Sequence, residues 1–250
     1  MKKSKFTTVG ILSCAAALAA TPVMAGTPVE PVMPPPAAPG ITTEVSVGYD
    51  TKYIFRGFDL GDNLVWGGVD VGVPLTDALS LNVGTWYGSL ADDAYDELNV
   101  LGGLSYDAGN FELGLGLIWY YFPQGVLGND LGYDDSLELG ASIGMTLGVV
   151  DFGLGYYYDF ELDGSYIELG AETVIELSDR VGLVPAAMVS YADSYSGING
   201  WNSVGVSLSL PIALTDNAVL KPYIAGTWGI DSGDYQPDEV YGGVSLAVTF

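Results

Sequence analysis

The sequence predicts an all-β protein, a transmembrane antiparallel up-and-down β-barrel of about twelve strands. Three observations lead there. Segments of about ten residues alternate apolar and polar side chains at period two, and no segment has convincing helical periodicity. Their connections alternate between short turns containing Asp or Asn and generally longer loops. The composition is apolar and rich in glycine (35 of 250 residues), although 31 acidic residues face only 7 basic ones.

The first element is an address. Lys2, Lys3 and Lys5 precede a mostly apolar stretch from Val9 to Ala20, and Val23 and Ala25 place small residues at a cleavage site before Gly26. Residues 1–25 are therefore expected to be a cleaved signal peptide, since the apolar run is shorter than the roughly 20 residues of a spanning helix. A lipoprotein signal ending at Cys14 is the competing reading, with Leu12 awkwardly placed two residues before the cysteine. Residues 26–40 follow as a Pro-rich periplasmic spacer. Proline lacks the N–H that a ladder needs, so this stretch reads as extended chain or a Pro-rich ligand motif.

The barrel is expected over residues 41–250, with strands near 43–57, 64–74, 79–89, 97–106, 111–122, 136–147, 151–160, 165–177, 180–191, 202–213, 219–230 and 239–250. In the sixth, Leu137, Leu139, Ala141, Ile143 and Met145 alternate with Glu138, Gly140, Ser142 and Gly144. In the eighth, Ile167, Leu169, Ala171, Thr173, Ile175 and Leu177 alternate with Glu168, Gly170, Glu172 and Glu176. In the tenth, Val204, Val206, Leu208 and Leu210 alternate with Ser203, Gly205, Ser207 and Ser209. The short turns lie near 76–78, 107–110, 178–179 and 215–217, and the longer loops include 123–135 and 192–201. That asymmetry, with an even strand count, puts both barrel ends on the short-turn, periplasmic side. A soluble β-sandwich would also alternate, but its apolar face would be enclosed and its loops would lack the asymmetry.

In a spanning barrel the apolar set meets lipid and the polar set meets the lumen. The expected pore-lining residues are Glu44, Asp50, Lys52, Arg56, Asp70, Glu112, Glu138, Glu168, Glu172, Glu176 and Lys221, with Asn82 and Asp151 beside them. Carboxylates outnumber cations in this set, and unpaired carboxylates are costly in a dry core, so the excess predicts water in the lumen. Arg56, Lys52 and Lys221 could pair with Asp50, Asp70 or Glu44 as an interior strut, and Arg56→Ala would then widen or destabilise the barrel. Tyr53, Phe55, Trp119, Tyr121, Tyr156, Tyr158, Tyr191 and Trp228 mark an outer aromatic girdle, and Tyr106, Phe111, Phe152 and Phe250 an inner one. Acidic residues such as Asp59, Asp62, Asp92, Asp159, Asp193 and Glu239 fall in the outer connections. They either solvate exposed loops or focus a negative potential that concentrates cations. Asp130, Asp134 and Asp135 match no dedicated calcium loop.

Several functions are excluded. The chain has no histidine, so it holds no Ser-His-Asp triad and no imidazole metal site. Nucleic acid is not an expected partner of so acidic a chain. No cofactor is expected. Carboxylate-only chemistry would need an assignable pair, and none stands out.

The last strand, Glu239 to Phe250, ends on Phe with Val248, Leu246 and Val244 alternating back from it. It resembles the C-terminal insertion signal of bacterial outer-membrane proteins, which implies the barrel-assembly machinery and outer-membrane lipid as partners. Tyr49 to Gly57 (YDTKYIFRG) resembles the opening strand of the TorF family of proposed porins, with its aromatic-Arg-Gly motif. Val65 to Asp70, Gly84 to Trp86 and Gly116 to Pro123 are similar to later segments of that family. The resemblance implies an outer-membrane barrel passing small solutes. The acidic lumen and mouth add an expected preference for cations, with a non-conducting structural or interaction barrel as the alternative.

Overall fold

A computed structural model describes residues 40–123, 135–231 and 238–250. The expected signal peptide, nearly all of the spacer, and Asp130 and Asp134 lie outside the described residues. The strands are β1 (Thr42–Phe55), β2 (Phe58–Pro74), β3 (Leu79–Leu90), β4 (Asp96–Asp107), β5 (Glu112–Tyr121), β6 (Ser136–Leu147), β7 (Val150–Asp159), β8 (Gly164–Glu172), β9 (Ile175–Ser178), β10 (Val181–Tyr195), β11 (Ile198–Ser209), β12 (Ile212–Ala213), β13 (Ala218–Gly229) and β14 (Glu239–Thr249). All pairings are antiparallel; from β1 to β8 each strand pairs with the next, β8 and β9 both pair with β10, β11 and β12 both pair with β10 and β13, and β14 pairs with β13 and with β1 to close the sheet.

Two staves are interrupted, so fourteen strands make a 12-strand barrel: β9 continues β8 and β12 continues β11. Proline explains both breaks. The gap after Glu172 lies opposite Pro185, whose carbonyl accepts from the Thr173 N–H (3.3 Å) but which has no N–H to return. The gap between β11 and β12 contains Pro211 and faces Pro222.

Closure gives the exposed edges partners. The Phe250 N–H donates to the Thr43 carbonyl (2.8 Å), and the Thr43 N–H returns a bond of 3.3 Å. A closed ladder is what lets a sheet sit in hydrocarbon without unpaired backbone groups. The alternation puts Leu113, Leu115, Leu117, Leu139, Ile143, Leu154, Leu169, Val206 and Leu208 outside, while Glu138, Glu168, Ser190 and Lys221 are buried inside. A sandwich would enclose the first set, so that alternative is set aside.

The girdle positions are met by most of the residues expected there. Trp119 and Tyr121 are exposed and stacked (centroids 5.6 Å apart), Tyr191 meets Trp201 edge-on, and Tyr106, Phe111 and Phe250 are exposed at the other rim. Tyr53 and Phe55 depart from the expectation: Tyr53 is buried, and Phe55 packs against the same inner cluster. The cause is a β-bulge. Tyr53 pairs with Gly61 but Ile54 with Asp59, leaving Leu60 as an extra residue on β2 that bends the hairpin; Tyr53, Ile54 and Arg56 are all buried, so both faces of the tip are enclosed.

Two outer connections also differ from the expected loops, while nearly all of the expected loop 123–135 lies outside the described residues. β1 and β2 meet in a two-residue turn, Arg56 and Gly57, at φ of 52° and 85°. β10 and β11 meet in another, Ser196 and Gly197, at 49° and 81°. Two positive φ values in a row are the geometry of a tight hairpin that matches strand twist, so neither 58–63 nor 192–201 forms an open loop.

Candidate functional site

The bulge directs the β1–β2 tip into the barrel and across it. Arg56 is buried, and its guanidinium grips Glu138 on β6 through two bonds, Nη1 to Oε2 at 2.5 Å and Nη2 to Oε1 at 2.8 Å. Nη1 also donates to the Tyr195 hydroxyl of β10 (2.7 Å). The Arg56 Cζ lies 4.6 Å from the ring centres of Tyr157 and Tyr166, and 5.0 Å from those of Phe55 and Tyr195. The Asn202 amide of β11 donates to the Arg56 carbonyl (2.9 Å). A desolvated cation–aromatic contact contributes ~2 kcal/mol, and the two-pronged carboxylate fork suits arginine and not lysine.

Packing around the tip fills the outer half of the lumen. On one side Tyr53, Leu64, Trp66, Leu90 and Tyr95 form a cluster joined by Phe55, Leu60, Trp86 and Phe122. On the other, Tyr157, Tyr166, Ala192, Tyr195 and Ile198 are joined by Phe58 and Leu162. Most polar groups set among these rings are bonded, although the Asn99 side-chain oxygen finds no partner among the described residues. Glu97 accepts from the hydroxyls of Tyr53 (2.9 Å) and Tyr95 (2.5 Å) and from the Asn99 amide (2.7 Å). Glu168 accepts from Tyr166 (2.8 Å), and Asp159 from Ser136 (2.6 Å) and the N–H groups of Glu161 and Leu162 (both 2.9 Å).

The inner half carries the rest of the expected set. Glu44 accepts from the Thr249 hydroxyl (3.3 Å), Asp151 from Thr146 (2.6 Å), and the Asn82 amide donates to Ser105 (3.3 Å). Asp50 marks the boundary between the halves, accepting from Trp66 Nε1 and the Tyr223 hydroxyl, each at 2.7 Å. Lys221 is buried, and its charge acts on Glu44, Asp50 and Glu172. Asp70 and Glu112 sit on the same inward face, Asp70 beside Gly84 and opposite Glu44 in the ladder.

Several expected placements need correcting. Arg56 does not line the wall; it crosses the lumen, and its partner is Glu138, not Asp50, Asp70 or Glu44. Lys52 lies at the outer rim, bonded to Asp59 (2.7 Å) and Asp62 (3.1 Å) and 3.5 Å from Glu239. Glu176 is exposed in β9 beyond the proline-induced break, at the short-turn rim. Asp159, expected in an outer loop, is buried at the end of β7, and Glu97 was missing from the lumen set. Both signals lay in the alternation: Asp159 is in phase with Tyr157, and Glu97 with Asn99. Among the described residues, no cluster of acidic side chains converges closely enough to hold a metal ion.

The outline matches known barrels. A KdgM porin superposes with a TM-score of 0.53 at 9% identity, covering 83% of this chain and 99% of that one. An outer membrane channel from Pseudomonas putida F1 gives 0.53 at 13% identity, covering 86% and 97%. LpxR from Salmonella typhimurium gives 0.54 at 10% identity, covering 84% and 100%. At these identities the likeness shows a shared fold alone. No curated protein matches the sequence. The family model described as "Bacterial protein of unknown function (Gcw_chp)" matches residues 35–220, and the chain belongs to that family.

Proposed function

We propose that this protein is a bacterial outer-membrane channel for small solutes, selective for cations, with a constriction in its outer half. The observation that carries the reading is the inner lumen, where the inward face carries Glu44, Asp70, Glu112, Asp151 and Glu172 and, among the described residues, Lys221 is the buried cation whose charge acts on Glu44 and Glu172. Carboxylates on a confined, watered wall lower the energy of a passing cation and raise that of an anion. The fold shared with a porin and an outer-membrane channel supports the outer membrane as its place, and so does the likeness of Tyr49 to Gly57 to the TorF opening strand. Insertion through the Phe250-terminated β14 by the barrel-assembly machinery belongs to the same reading.

Planar-bilayer recording of the refolded protein in a KCl gradient tests the proposal. The expected result is a small conductance whose reversal potential lies on the potassium side. Asp70→Asn with Glu112→Gln should move that potential toward zero. Reproducible anion preference would overturn it.

A second reading, a closed non-conducting barrel, is favoured by the Arg56 tip spanning the outer lumen. Reproducible silence in the same recordings, with the protein demonstrably inserted, would select it.

A further inference from the structure

The groups that hold Arg56 belong almost entirely to the opposite wall. Glu138 comes from β6, Tyr157 from β7, Tyr166 from β8 and Tyr195 from β10, whereas Arg56 arrives on a hairpin from β1. Glu138 is 0% exposed and Tyr166 1%. Without the hairpin, these four side chains would still present a carboxylate fork, a phenol acceptor and three ring faces.

The occupant is the more strained partner. Arg56 takes a left-handed backbone conformation (φ 52°), which a residue with a Cβ adopts at some energetic cost. Burying an ion pair recovers its desolvation only with good geometry and further hydrogen bonds. The wall supplies both, through the two-pronged contact of Glu138 and the Tyr195 hydroxyl.

We propose that Glu138, Tyr157, Tyr166 and Tyr195 form a receptor for an organic cation bearing a guanidinium group, occupied at rest by the chain's own Arg56. A solute of that class competes with the hairpin for one site. Its binding is coupled to withdrawal of the tip, because the wall accommodates one planar cation at a time. Apparent affinity in the unmodified protein is thus reduced by the fraction of molecules whose tip is withdrawn. The inference goes beyond the channel reading and does not need a current to be tested.

The test uses the full chain refolded in detergent, with ethylguanidinium as probe and ethylammonium and potassium as controls at equal ionic strength. In Arg56→Ala, ethylguanidinium should quench or shift tyrosine fluorescence and raise the melting temperature, binding at least about tenfold more tightly than to the wild type. The response should vanish in Arg56→Ala with Glu138→Gln. A folded Arg56→Ala that responds no more to ethylguanidinium than to potassium overturns the proposal, as does an equal response in the double variant.

Should Arg56→Ala fail to fold, the wild type decides. Ethylguanidinium at millimolar concentrations should accelerate chymotrypsin cleavage after Phe55 or Phe58, located by mass spectrometry, while ethylammonium should not. Unchanged cleavage overturns the proposal. Binding without bilayer conductance leaves this inference standing and removes the channel; conductance without binding does the reverse.

Discussion

Tyr223 on β13 donates a 2.7 Å hydrogen bond to Oδ1 of Asp50 on β1, passing over the strand between them. Those residues are 173 positions apart, and the bond ties the two chain ends of the barrel together on the inside while the Thr43–Phe250 ladder ties them at the rim. The other Asp50 oxygen accepts from Trp66 of β2, so one carboxylate spans the closing seam.

Tyr223→Phe should therefore weaken closure without changing shape. A hydrogen bond to a charged acceptor contributes about 1.5–3 kcal/mol. The variant should unfold at lower temperature or urea concentration than the wild type in detergent, read by tyrosine fluorescence or loss of heat-modified gel mobility. Unchanged unfolding would show that the contact contributes nothing net.

Glu97 presents the opposite balance, one acceptor serving three donors. Glu97→Leu leaves the hydroxyls of Tyr53 and Tyr95 buried among rings without that carboxylate. Each stranded polar group costs about 1–3 kcal/mol. The expected result is a larger loss of stability than for Tyr223→Phe, measured by the same unfolding curves; equal or smaller loss would contradict the assigned network.

Two glycines should separate cleanly. A Cβ at Gly164 would meet the Ser194 carbonyl oxygen at 2.5 Å and Tyr195 Cα at 2.8 Å, both backbone atoms that cannot step aside. At Gly102, exposed on the outer face, it would meet nothing within 4 Å. Gly164→Ala should impair refolding yield and displace Tyr195 from Arg56, while Gly102→Ala should refold like the wild type. Equal yields would count against the close approach of the β7–β8 turn to the β10–β11 hairpin.

The outer surface offers a depth test. Leu117 is exposed near the middle of β5, and Val149 is exposed in the turn between β6 and β7. Arginine on the lipid face costs about 2–4 kcal/mol at the bilayer midplane and about 0–1 near the interface. Leu117→Arg should thus destabilise the protein in liposomes far more than Val149→Arg. Similar effects would mean that the leucine band does not meet hydrocarbon.

The period-two alternation made the barrel legible, because every strand in hydrocarbon must show one face to lipid. It also located Glu138, Glu168 and Lys221 on the inside. The alternation misled at Tyr53 and Phe55, where one extra residue on β2 bends the hairpin so that both its faces are enclosed, without any break in pattern on β1. For Arg56 the inward direction was legible, but its reach was not, since the pairing with Glu138 depends on a bend set by the neighbouring strand. The breaks after Glu172 and before Ile212 had a visible cause in Pro185, Pro211 and Pro222, yet isolated prolines inside a strong apolar rhythm were outweighed by that rhythm.

The bulge at Leu60 has a mechanical corollary. The hairpin beyond it is a lever of fixed reach, just long enough to bring one side chain to the far wall, and its tip is a two-residue turn with no slack. Adding a pair of residues within the arm would carry Arg56 past Glu138; removing a pair would leave it short. Related chains should accordingly tolerate changes of length in the remaining outer connections far more readily than between the fulcrum and the tip.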